Sequence, residues 1–105
     1  MSNDIYAIKR IIDNPIKLHF ANCNFLGEIH EELKQKFGFH EFYGANWDAL
    51  FDLMRDVFSE NKDYTVEIHG YYSMKKDLQN ECKTMLSVFD AIHDEKPKFT
   101  YEIID

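Results

Sequence analysis

The sequence predicts an α/β protein: a three-stranded parallel sheet with helices packed mainly on one face, preceded by a short N-terminal extension. Three observations lead there. Segments that alternate apolar and polar residues are separated by segments whose apolar residues recur three and four apart, which calls for helical crossovers and parallel strands. The strands keep a polar residue at every second place, whereas a parallel sheet covered on both faces reads as an unbroken apolar run. A chain of 105 residues, 45% hydrophobic with nine Phe and six Tyr, is enough for one packed core and too short for two.

Residues 1–14 allow two readings, because Ile5, Ile8 and Ile12 fit a helical face while β-branched side chains also suit a strand. Asn14-Pro15 punctuates the chain and divides an extension, residues 1–15, from a domain, residues 16–105. Ile16, Leu18 and Phe20 then alternate with Lys17 and His19 as a first strand. Asn24 is placed to cap a helix with apolar positions Leu26, Ile29, Leu33 and Phe37, and Gly38 can supply the left-handed residue that ends it. After a turn at 41–45, Asn46 reads as the N-cap of a second helix running to about Phe58 or Ser59, with Asp48 in the first turn, where the helix dipole favours a carboxylate. Tyr64, Val66 and Ile68 alternate with Thr65, Glu67 and His69 as a second strand ended by Gly70. Leu78, Cys82, Met85, Leu86, Phe89 and Ile92 trace a helical stripe, with a break expected near Asn80 into a shorter and a longer helix. Pro97 precedes a third strand in which Phe99, Tyr101 and Ile103 alternate with Thr100 and Glu102. The strand order stays open, and the extension is a candidate cover for one edge of so small a sheet.

Twelve basic against 19 acidic residues leave a net charge of −7, which repels phosphate backbones and favours a basic partner over nucleic acid. Cys23 and Cys82 have neither metal-like nor redox-like spacing and read as reduced, packed thiols. Without a basic N-terminal run followed by an apolar one, or eighteen consecutive apolar residues, the expectation is a soluble intracellular protein without membrane contact. The dispersed basic pairs Lys34 with Lys36, Lys75 with Lys76 and Lys96 with Lys98 read as solvated surface. His19, His30, His40, His69 and His93 lack ligand spacing, and four glycines leave little room for a phosphate loop, so no metal, cofactor or catalytic residue is expected. A small metal-dependent hydrolase, with histidines and aspartates converging in the fold, is the least favoured reading.

The stretch EFYGANWDALFDLM, residues 41–54, carries the most information. A four-residue spacing sets Asp48, Asp52 and Asp56 on one helical ridge, while Leu50, Leu53, Met54 and Val57 turn away from it. Trp47 reads as core or half-core. Tyr43 suits an interface or packing against the helix equally, and Gly44 suits turn geometry. The run from Glu41 to Asp52, with Tyr43-Gly44, Asn46, Asp48-Ala49-Leu50 and Asp52, resembles the signature of the barstar family of intracellular ribonuclease inhibitors. MLSVF at 85–89 and the closing FTYEII resemble that family's last helix and strand, so the likeness spans about Ile16 to Ile104.

The resemblance implies a monomeric cytoplasmic inhibitor without cofactors, an immunity protein for a basic ribonuclease, barnase-like or another RNase toxin. A ribonuclease gathers Arg, Lys and His around the scissile phosphate, so its cleft receives carboxylates readily. Carried over by position, Asp52 resembles the central aspartate that enters the phosphate site, and Asp48 the flanking aspartate that pairs with an active-site arginine. Phe42, Tyr43, Gly44, Asn46, Phe51 and Arg55 complete the expected partner-binding set. The family's own complex is an established case of electrostatic steering and of an aspartate hot spot, so those effects are not inferences from this chain.

Four departures touch this face. Phe42 and Phe51 replace a familiar tyrosine and tryptophan, keeping rings without polar handles. Arg55 replaces a small polar residue and can pair with Asp52 or meet the partner directly. Ala91 stands at a familiar glutamate, with Asp90 and Asp94 pointing elsewhere. Within residues 46–60, four acids (Asp48, Asp52, Asp56, Glu60) less Arg55 still leave −3. The alternative is an acidic interaction module of the same fold that binds a basic protein other than a nuclease.

Overall fold

Alternation in the strands and three-to-four spacing in the helices place their apolar residues on surfaces that must meet, and the architecture follows from that meeting. The structure, a computed structural model, describes residues 14–39 and 44–105. In chain order the elements are β1 (Ile16–His19), α1 (Leu26–Phe37), α2 (Trp47–Val57), β2 (Tyr64–His69), α3 (Lys76–Glu95) and β3 (Phe99–Ile103). The alternative readings of residues 1–13, and any cover they give a sheet edge, lie outside the described residues.

The sheet has the order β1-β2-β3 and is parallel throughout, with Ile16 beside Val66 and Val66 beside Tyr101. The two crossovers step in one direction across the sheet, and with the right-handed sense that parallel connections take as a rule their helices fall on one face, which is the arrangement the alternating strands require. Ile16, Leu18, Tyr64, Val66, Ile68 and Phe99 accordingly point into the core, while Lys17 and His19 stay exposed and Thr65, Glu67 and His69 half-exposed on the other face. Asn14 ties the start of β1 to the start of β2: its Oδ1 accepts from the Thr65 N–H at 2.9 Å and its Nδ2 donates to the Asp63 carbonyl at 3.0 Å.

Two helix ends depart from expectation. Phe25 rather than Asn24 is the N-cap of α1, because Glu28, three residues on, reaches back so that its Oε1 accepts from the Asn24 N–H at 2.6 Å and the Phe25 N–H at 3.1 Å. α2 ends at Val57, with Phe58 as its C-cap. Gly38 does end α1 in the left-handed region, at φ 71°. The break expected near Asn80 is absent: α3 is one helix of 20 residues. Its buried residues Leu78, Cys82, Met85, Phe89 and Ile92 keep one stripe through that point, so Asn80 simply faces solvent and gives the helix no reason to stop.

The core beneath the sheet is aromatic. Phe58 packs against Tyr64, Phe99 and Phe37 with ring centroids 4.7, 4.9 and 5.2 Å apart, and Phe89 joins Phe99 at 5.8 Å. Both cysteines are free. Cys82 is fully buried, and burial first, then Cys23 and Glu81, pushes its thiol up to about 12, so it packs as a small apolar side chain.

Candidate functional site

The acidic helix is held by its inner face. Leu50 and Met54 are fully buried, and Trp47, Phe51, Leu53 and Val57 pack half-buried against the core, which leaves Asp48, Asp52, Arg55 and Asp56 exposed. α2 leans chiefly on α3 rather than on the sheet, so its outer ridge stands clear of the fold. Among the described residues, the carboxylates of Asp48, Asp52 and Asp56 have no hydrogen-bond or ion-pair partner, and they project as unmatched negative charge.

The N-terminal end of α2 is built locally. Asn46 caps it as expected, its Oδ1 accepting from the Ala49 N–H at 2.8 Å while its Nδ2 donates to the Gly44 carbonyl at 3.3 Å. Of the described residues of the turn, Ala45 is the left-handed one, at φ 54°, rather than Gly44. A Cβ on Gly44 would meet the Asn46 Nδ2 at 3.2 Å, so this glycine leaves room for the capping amide. Trp47 takes the half-core place expected of it, its ring 4.4 Å from that of His30 on α1. Burial to 4% exposure lowers the His30 pKa below the usual imidazole range. The expected contact residues Phe42 and Tyr43 lie outside the described residues.

The C-terminal end of α2 is built from across the chain. Lys96, expected at the surface, is 9% exposed and donates from Nζ to the carbonyls of Arg55 and Phe58. A cation there satisfies carbonyls that a helix leaves without partners and meets the negative end of its dipole. Arg55 pairs with neither Asp52 nor Asp56. Its Nε donates to Glu95 Oε1 at 3.0 Å, and its guanidinium carbon lies 5.4 Å from the centroid of Phe51. Phe51 is therefore partly covered by the arginine instead of standing open. Asp52, Arg55, Asp56, Glu60, Glu95 and Lys96 line an open notch of about 500 Å³. Sequence reading missed Glu95 and Lys96 because their partners lie about forty residues away, beyond the reach of any local pattern.

The substituted place on α3 stays without a carboxylate. Asp90, next to Ala91, accepts from the Tyr101 hydroxyl at 2.7 Å, and burial first and then this bond push Tyr101 up to about 12. On the open sheet face His19 and His69 do come together, ring centroids 5.2 Å apart, with Glu67 3.0 Å from His69 Nε2. Among the described residues, no group of three or more His, Cys, Asp or Glu is arranged to hold a metal ion, and no helix is long and apolar enough to cross a membrane.

A search of curated proteins finds no match to this chain. Residues 14–103, which include all six elements, match the profile of the family described as Barstar (barnase inhibitor), and the chain belongs to that family.

Proposed function

We propose that this chain inhibits a basic ribonuclease by seating α2 and the turn before it in the enzyme's active-site cleft. The observation that carries this is a core-mounted ridge on which Asp48 and Asp52 stand exposed with no cation paired to them among the described residues, in a chain of the Barstar family. Asp52 enters the phosphate site, Asp48 pairs beside it, and Phe42, Tyr43, Gly44, Asn46 and Phe51 frame the contact. Buried in a complex, such carboxylates are tolerated only with hydrogen-bonded cations opposite, which makes the face selective for a cleft built to hold phosphate. The protein performs no chemistry. It excludes RNA sterically and electrostatically, acts in the cytoplasm as a monomer, and associates at a rate that falls with added salt.

Inhibition of barnase, used as the probe enzyme, tests the proposal. Asp52→Ala should weaken it by at least about thirtyfold, the range of interface hot spots, and Asp48→Ala by less. Unchanged inhibition in both variants would sink the acidic-ridge account. Arg55 and Ala91 favour a second reading, an acidic module for a basic protein other than a nuclease. A pull-down from native cell extract separates the two: a small basic ribonuclease dominates under the first and is absent under the second.

A further inference from the structure

Arg55 interrupts an otherwise acidic ridge three residues after Asp52, close to one helical turn along α2. A flexible surface arginine would swing aside from an approaching cation, but this one has an anchored backbone and a side chain held at two points. Its main-chain carbonyl receives the buried Lys96 amine, its Nε donates to Glu95 at 3.0 Å, and its guanidinium carbon lies over the Phe51 ring. The side chain is still 52% exposed, and among the described residues only Nε has a hydrogen-bond partner, so the terminal N–H groups keep their donor capacity at the notch that Arg55 helps to line. A guanidinium ordered in advance loses little further freedom on binding, and its planar fork is matched by a carboxylate or a main-chain carbonyl.

From this geometry we infer that Arg55 is a specificity determinant of the inhibitory face. This rests on the proposed function and deepens it. The fixed guanidinium repels a cleft that is cationic throughout and reserves the face for a basic nuclease that presents a hydrogen-bond acceptor about one helical turn from the cation that meets Asp52. Glu95 is the positioning residue, since it aims Arg55 and offsets part of its charge.

Titration of barnase, whose cleft is the cationic probe, with wild type, Arg55→Ala, Arg55→Lys and Glu95→Gln tests this, with affinity and association rate followed against salt. Arg55→Ala should bind at least about tenfold more tightly than wild type at low salt, with the gain shrinking as salt rises. Arg55→Lys, which keeps the charge, should show no such gain. Glu95→Gln, which leaves the cation unopposed, should bind about threefold more weakly. The inference is overturned if Arg55→Ala binds as wild type does or more weakly, or if no variant binds barnase at all. Adding Asp52→Ala to the Arg55→Ala protein distinguishes the two levels: if tightened binding survives that change, the inhibitory reading fails and takes the inference with it, whereas loss of binding on Asp52→Ala with no gain from Arg55→Ala overturns the inference alone.

Discussion

The two ends of α2 solve one problem in opposite ways. Each end of a helix leaves backbone groups without intrahelical partners. At the N-terminal end Asn46 answers from within the same turn, accepting the Ala49 N–H. At the C-terminal end the answer comes from Lys96, at the far side of α3, whose amine reaches the carbonyls of Arg55 and Phe58. The first end is a local device that a peptide could form. The second exists only when the α3–β3 junction has docked, so it locks the acidic helix to the folded core and orients Arg55 as it does so.

Variants at the two ends sharpen this contrast. The largest effect is expected from Phe58→Ala, which empties a fully buried aromatic site at the C-cap and should cost about 3–5 kcal/mol in urea unfolding. Next is Lys96→Met, which keeps much of the apolar stem but leaves two carbonyls without their donor; a loss of about 2–3 kcal/mol is expected. A loss below 0.5 kcal/mol, with ~0 as the limit, would show that water replaces the amine and that the end is not locked by Lys96. Asn46→Ala removes a single exposed cap and should cost about 1 kcal/mol, measured in the same way. Were this cost to exceed that of Lys96→Met, the ranking of the two ends would be reversed. Smallest is Glu95→Gln, since a half-exposed ion pair contributes about 0.5 kcal/mol or less; its effect belongs in partner binding rather than in the unfolding midpoint.

The same division separates what was legible in the chain from what was not. β2 and β3 were readable to the residue because alternation is a property of neighbours, and Gly38 and Asn46 because their caps act within one turn. Asn24 misled because Asn suits a cap in general, whereas Glu28 reaches back from one residue further along and moves the cap to Phe25. Asn80 misled because a polar residue on the solvent side of a continuous stripe resembles a break. Lys96 misled because a dispersed basic pair such as Lys96 with Lys98 reads as solvated surface until a helix end is placed over it.

For the acidic face, then, the sequence by itself determined the carrier: an amphipathic helix, capped by Asn46, with Asp48 and Asp52 on its outer ridge and Leu50 and Met54 beneath. These follow from spacing and side-chain chemistry within a few turns. The tertiary structure alone decided the strand order, the burial of Lys96 under α2, and the pairing of Arg55 with Glu95 instead of Asp52. The physical reason is range. Helix periodicity and caps act over three or four residues, whereas a charge pair needs only proximity in space, and proximity between residues forty apart is a product of folding.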